Sequence, residues 1–484
     1  MPLVISASGE HGPWARRGAR ASDRASYSDA STIPFWLDAT QRPAATAPLA
    51  GERECDLAIV GAGLAGLWAA VLAVEDEPSR DVVVVDGARI ADGASGRNGG
   101  FLASSLTHGV ANGMARFPEE MPTLERLGLE NFAAVADAVE RHGIACGFEA
   151  SGDLDVAVEP HEVKWLADEA AVLRALGHEV ELLDRERAWA EVHSPVFEGA
   201  LWRRSGAALV DPARLAWGLA RVAAEGGARL HERTRVEAIE RGGAGVELRL
   251  AGGRLRARKA LLASGAFPGL VGDIRRRVAP VYDYVLVTEP LTAKQREAIG
   301  WPNRQGVGDV ANRFHYYRLT EDDRILWGGY DAIYHYGGGI GPRFEQREES
   351  FARLASHFFT AFPQLEGVRF THRWGGAIDT CSRFFAFHGT ALDGRAAYTV
   401  GHTGLGVGAS RFGARVALDL LAGRENEATR LRAIRSKPLP FPPEPLRWGA
   451  IELTRSRLAA ADRRGGRRGL WLRTLDRLGL GFDS

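Results

Sequence analysis

The sequence predicts an α/β fold built on a parallel sheet, and three observations predict it. Residues 55–60, CDLAIV, and residues 82–85, VVVV, are short unbroken apolar runs, as strands covered on both faces must be. The stretch between them, 64–75, is rich in Ala and Leu and reads as a helix. A glycine turn, Gly61-Ala-Gly-Leu-Ala-Gly66, joins the first strand to that helix.

Composition narrows the class. The chain has 484 residues, 45% hydrophobic and 25% charged, which fits a soluble globular protein and excludes a disordered or fibrous one. Single cores stop growing near ~250–300 residues, so the chain can bury one large core or two. Lys plus Arg and Asp plus Glu are 61 each, and this balance argues against general nucleic-acid binding. Only Lys164, Lys259, Lys294 and Lys437 are lysines. Cys55, Cys146 and Cys381 form no CxxC pair or cluster, so neither a disulfide framework nor a metal site is expected. The N-terminus lacks the apolar stretch of a signal peptide. The apolar run 57–74 approaches the length of a membrane span, but its glycine pattern and the following EDEPSRD assign it to the strand–turn–helix unit. A cytoplasmic protein is expected.

Elements follow in order. Residues 1–53 read as a mobile arm with one anchor, PFWLD at 34–38, and order starting at Cys55. Residues 115–180 are mainly helical, through ENFAAVADAVERHG and VKWLADEAAVLRALG, with GDLDVAV as a strand between them. Residues 229–264 alternate like strands. The stretch 281–336 is strand-like and aromatic, with VYDYVLVTEP, RFHYYRLT and RILWGGYDAIYHY. A helix is expected at 345–362, a glycine-rich strand–turn pair at 373–379 and 395–408, and a helix at 409–422. Residues 436–447 form a proline-rich linker. The tail beyond it is basic, with Leu and Trp at helical spacing and a break at Gly465-Gly466. It reads as a helix packed on the parent domain, with membrane-surface binding as the alternative.

The glycine turn carries chemistry. It is a GxGxxG with a strand before it, a helix after it and an acid, Asp86, twenty residues beyond Gly66. Gly61 permits the tight turn, Gly63 lets backbone N–H groups of Leu64 and Ala65 approach a pyrophosphate, and Gly66 lets helix and strand pack closely. The helix N-terminus favours the phosphates. Asp86, with Gly87 after it, takes ribose hydroxyls. This is a Rossmann-type dinucleotide site. A second loop, Gly93-Ala-Ser95-Gly96-Arg97-Asn98-Gly99-Gly100, follows the second strand and points to FAD, because its glycines let backbone lie against a ring system. Arg97 there holds negative charge near a reduced flavin.

GAGLAG, Asp86 and GASGRNGG together resemble the D-amino-acid oxidase-type FAD-dependent oxidoreductases, nearest the branch with γ-glutamylputrescine oxidoreductase and further from glycine oxidase and sarcosine oxidase. The resemblance spans about 35–425. It places Val236, in TRVEAIE, at the adenine. It places Ser264 and Gly265, in LLASGAFPG, near the ribityl chain or pyrophosphate. It places Gly404, Leu405, Gly406 and Val407, in the 401–423 segment, in the C-terminal flavin loop. It implies a discontinuous FAD domain at 54–110, 205–270 and 371–425. A substrate domain with a large antiparallel sheet follows at 111–204 and 271–370, and the linker and tail at 426–484.

The implied reaction is hydride transfer from the carbon next to an amine nitrogen to flavin N5, then imine hydrolysis, on a polyamine derivative or amino acid. An acid–base pair is not required, and none stands out. Tyr316 and Arg318 share one strand face and His315 and Tyr317 the other. By resemblance Arg318 holds the substrate's anionic end, and Trp327 stands where sarcosine oxidase relatives carry an oxygen-activating Lys. Arg97, Tyr316, Arg318 and Trp327 are thus the catalytic candidates. Oxygen or another acceptor takes the electrons. Gly375 stands where some relatives attach FAD to a Cys, so the FAD is expected to be non-covalent and Cys381 a buried apolar residue. His108 and His402 flank the flavin loops. The alternatives are a dehydrogenase with a non-oxygen acceptor, an NAD(P)H-dependent hydroxylase with GVGDV at 306–310 as its second motif, and a non-catalytic flavin-binding protein.

Overall fold

The computed structural model describes residues 10–267 and 269–480. Residues 1–9 of the N-terminal arm, Pro268 of LLASGAFPG and the last four residues of the tail lie outside the described residues.

Two large sheets carry the molecule. The first has eight strands. Its path runs Phe387–Ala391, Ala396–Val400, Gly253–Leu262, Gly51–Val60, Val82–Val85, Arg229–His231. The last five are parallel, in a register that sets Leu57 beside Val82 and Val60 beside both Val85 and Leu262. Alternation splits the apolar strands between two layers. Leu57, Ile59, Val82 and Val84 pack under helices Leu64–Asp76 and Pro212–Glu225. Ala58, Val60, Val83 and Val85 pack under the hairpin Val236–Gly242/Gly245–Leu250. One face of this sheet is therefore helical and the other is roofed by β-structure.

The second sheet has nine strands. Its path runs Ile333–Tyr334, Ala279–Thr288, Ile325–Gly329, His315–Leu319, Gly306–Asp309, Asp153–Ala157, Gly199–Arg203, Val180–Asp184, and Phe370–Thr380 also pairs with Ala279–Thr288. All pairings are antiparallel except that of Gly306–Asp309 with Asp153–Ala157. GVGDV is thus an ordinary inner strand, and the second-motif reading of it falls. The back face buries Tyr282, Tyr284, Tyr317 and Trp327 against helix Glu348–Ala361. The front face turns Val285, Val287 and Leu326 toward the first sheet's core.

Two expectations change, and two strands are added. The N-terminal segment is not a mobile arm from 10 onward. Trp14, Tyr27, Trp36, Leu37 and Leu49 are buried, and Ser31 bridges to His372. These anchors are spaced without period, so no element signal marked them. Two strands, Val180–Asp184 and Gly199–Arg203, lie beyond the mainly helical stretch, where the sequence pattern assigned no element. The helix expected from 409 starts at Gly406. The tail forms helices Leu446–Asp462 and Leu470–Arg477, broken at Gly465 and Gly466 (φ +62° and +76°). It packs, with Leu472 buried and Trp471 Nε1 donating to Thr454 Oγ1 at 3.0 Å. Among the described residues no helix is long and apolar enough to cross a membrane.

Candidate active site

Glycine sets the cradle by letting backbone come close. A Cβ at Gly66 would lie 1.9 Å from Gly61 O, and one at Gly61 (φ +110°) would lie 2.4 Å from Ala263 O. No side chain fits either place. Gly63 caps helix Leu64–Asp76, and a Cβ there would meet Ser95 Oγ at 2.8 Å. Ser95 Oγ accepts from Leu64 N–H at 2.9 Å, so its own hydroxyl proton remains to donate into the cavity. Asp86 accepts from Ala62 N–H at 2.6 Å and Ala88 N–H at 2.7 Å, and burial pushes its carboxyl up.

The second loop is pinned from behind by indoles. Trp36 Nε1 donates to Asn98 O at 2.8 Å and Trp374 Nε1 to Arg97 O at 3.0 Å. The Asn98 side chain closes the loop on itself, donating to Ala94 O and Ser95 O and accepting from Gly100 N–H. Gly96 faces Leu37, and a Cβ at Gly99 would sit 2.8 Å from the Tyr316 ring. Arg97 pairs with Glu345 at 2.7 Å and donates to Gly375 O at 3.1 Å.

These loops open on one cavity of about 1250 Å³, above the roughly 300–1,000 Å³ of a small-molecule site. A dinucleotide and a substrate fit together in such a space. Gly63, Leu64, Ala65, Ser95, Arg97, Asn98 and Gly99 line it, as do Gly265 and the run from Gly404 to Val407. Gly61, Gly66, Asp86, Gly87, Gly96, Gly100, Val236 and Ser264 do not, and stand behind or beside the wall. His108 and His402 both line it. Burial holds His108 down at about 4, and His402 Nδ1 lies 3.3 Å from Asp379 Oδ2. Ser410 Oγ is buried at the wall with no partner among the described residues, an orphan that a cofactor would satisfy. The donor set suits FAD. Cys381 also borders the cavity, with its thiol given to Phe385 O at 3.1 Å and pushed up by burial.

The opposite wall is the front of the second sheet. Here a pair appears that sequence reading missed. Tyr316 OH donates to Asp283 Oδ2 at 2.5 Å. Asp283 Oδ1 accepts from Tyr284 N–H at 2.6 Å and Gly329 N–H at 3.1 Å. Burial raises the Asp283 carboxyl to about 6, against the lowering effect of these bonds. The signal was present. Val281, Asp283, Val285 and Val287 share a face, and one acid among three valines marks a buried charge with a task.

Two catalytic candidates belong elsewhere. Arg318 is buried, and its guanidinium donates to Val210 O at 2.8 Å, Leu319 O at 3.1 Å and Gly100 O at 3.3 Å. It clamps the flavin loop to the sheet and has no face on the cavity, so it does not hold a substrate anion. Trp327 is fully buried on the back face among Tyr317, Phe358 and Phe362. The alternation that sends it there presents Gly328 to Tyr316 instead. Trp327 lies on the strand Ile325–Gly329 with its side chain turned away from the cavity.

Comparison with known proteins accords with this geometry. The family model described as FAD dependent oxidoreductase matches residues 56–420. Gamma-glutamylputrescine oxidoreductase of Escherichia coli (strain K12) is 31% identical over 396 residues, 80% of this chain and 88% of the relative. The crystal structure of glycine oxidase from Geobacillus kaustophilus superposes with a TM-score of 0.64 at 21% identity, covering 78% of this chain and 96% of that one. L-proline dehydrogenase from P. horikoshii gives 0.63 at 18% identity. The family match covers the glycine cradle, the 93–100 loop and the second sheet facing both, and the chain is a member of the FAD dependent oxidoreductase family, an enzyme with FAD as its cofactor.

Proposed function

We propose that the protein oxidises a primary or secondary amine of the polyamine-derivative class at the carbon next to nitrogen, with the imine released to water and FAD held non-covalently. The observation that carries this reading is the Asp283–Tyr316 pair on the cavity wall beside the flavin loop. FAD, when bound, supplies the hydride acceptor. The chain's own residues prepare the donor. An amine reacts in its neutral form, so a proton must leave first. Above about pH 6 Asp283 is anionic, attracts the substrate ammonium and accepts its proton, while Tyr316 OH holds the charge at Oδ2. Phe101, Val281 and Ile378 give this part of the cavity an apolar lining, which also favours the neutral amine. Gly63 and the N-terminus of the helix behind it would hold the pyrophosphate, with the Ser95 hydroxyl free to donate to it.

A second reading concerns the acceptor. None of the four lysines lines the cavity, and this favours an acceptor other than oxygen. Three buried, unpaired thiols fit a reducing compartment such as the cytoplasm.

The test is anaerobic titration of the holoenzyme with γ-glutamylputrescine, putrescine, sarcosine, glycine and D-amino acids, read as bleaching of the flavin band. Bleaching by a putrescine derivative is expected. Bleaching by amino acids alone would replace the substrate class, and no bleaching by any amine would remove the reading.

A further inference from the structure

The family match ends at residue 420, but the cavity does not. Ile451, Thr454, Arg455 and Leu458 of helix Leu446–Asp462, with Trp471 and Leu475 of helix Leu470–Arg477, line the same cavity as Gly63 and Tyr316. This wall is fastened. Asn312 Nδ2 donates to the buried Asp462 Oδ1 at 2.6 Å, Tyr334 OH to Glu444 Oε1 at 2.7 Å, and Ser382 Oγ to Leu439 O at 2.7 Å. Each contact ties the C-terminal segment to a strand of the second sheet or to a loop or turn beside one.

The lining it presents is mostly apolar, with one cation in it. Arg455 gives one terminal nitrogen to Glu452 at 2.6 Å, and its Nε–H has no acceptor among the described residues. A guanidinium carries five N–H donors, so most are unspent. The nearby acid Asp331 is already served by Ser350 at 2.6 Å and by Arg347 and Arg353. Arg455 therefore brings spare donors and a positive charge to a mostly apolar cavity wall, where Glu452 on its own helix takes only one of them.

We propose that the C-terminal helix pair is the outer wall of the substrate site and that Arg455 binds an anionic group of the substrate, a carboxylate, separate from the reacting amine. The amine end of this statement rests on the proposed function; the anion end does not. The substrate class is then an amine with an apolar spacer and a carboxylate.

The experiment compares N-succinylputrescine with N-propionylputrescine, which differ only by the carboxylate, on the holoenzyme. It also measures the equilibrium Kd of N-succinylbutylamine, which lacks the oxidisable amine, by perturbation of the flavin spectrum and by calorimetry. Wild type is expected to prefer the succinyl substrate in kcat/KM. In Arg455→Gln that preference ratio falls about 10- to 100-fold, the size of a lost charge-assisted hydrogen bond, and the Kd weakens alike. Glu452→Gln frees the remaining donors and tightens N-succinylbutylamine severalfold. Arg455→Lys, with the charge but not the fork, falls between. Flavin content and Tm establish that each variant is folded, and Glu452→Gln decides the matter should Arg455→Gln fail to fold. A ratio and Kd unmoved within twofold in Arg455→Gln, no tightening in Glu452→Gln, or a wild type indifferent to the carboxylate would each overturn the proposal. Arg455-dependent binding of N-succinylbutylamine with no amine bleaching the flavin would overturn the amine reading and leave this one standing.

Discussion

The two sides of the cavity are made of different material. On the cofactor side, the wall is mainly backbone: Gly63, Gly99, Gly404 and the amides at the start of Leu64–Asp76. On the substrate side it is side chain: Asp283 and Tyr316 from the second sheet, Arg455 and Trp471 from the C-terminal helices. Backbone amides bind a phosphate or ring whatever the neighbouring residues are, provided no Cβ intervenes. Side chains select by charge and shape. On the proposals above, the first side holds the cofactor and the second selects the substrate.

The difference can be broken at its stiffest point. Gly66→Val puts a Cβ against Gly61 O, where the gap is 1.9 Å, and backbone cannot yield. The purified protein is expected to carry no FAD, read as the ratio of flavin to protein absorbance, and full occupancy would refute the cradle. Asp283→Asn leaves the cradle intact and removes the proton acceptor. Flavin occupancy stays, and the anaerobic reduction rate at pH 8 falls by about 10²- to 10⁴-fold, the usual worth of general base catalysis. Tyr316→Phe is smaller, about 10- to 100-fold, for one hydrogen bond to a charged group. Because the phenol's bond lowers the Asp283 pKa, its loss moves the acidic limb of the rate profile above pH 6. Trp327→Phe tests the back face and is smallest in rate. Stability falls by roughly 1–2 kcal/mol, a fraction of a full Trp truncation, by urea unfolding, while flavin reduction stays within threefold.

The same division governed what could be read in advance. GxGxxG and GASGRNGG are local patterns, and their physics acts within a few residues, so strand, turn, helix and flavin loop were legible. The pairing of Asp283 with Tyr316 spans 33 positions, and only strand register brings the two together. Arg318 and Trp327 show the limit of alignment by strand. Each lies on the expected strand, yet one is turned to the loop's backbone and the other to the opposite face. Trp14 and Tyr27 were lost because lone aromatic anchors in an irregular segment carry no period. Arg455 sits on a helix whose packing partner, the second sheet, is distant in sequence, so nothing local marked it as cavity-facing.

The most direct measurement is the anaerobic rate of flavin reduction by an amine that bleaches the wild type, followed by stopped flow from pH 5 to 8. The account predicts a rate that rises with pH through about 6 in the wild type, as Asp283 ionises, and a low rate without that limb in Asp283→Asn. A wild-type profile flat across this range, or an Asp283→Asn enzyme that keeps the limb, would contradict it.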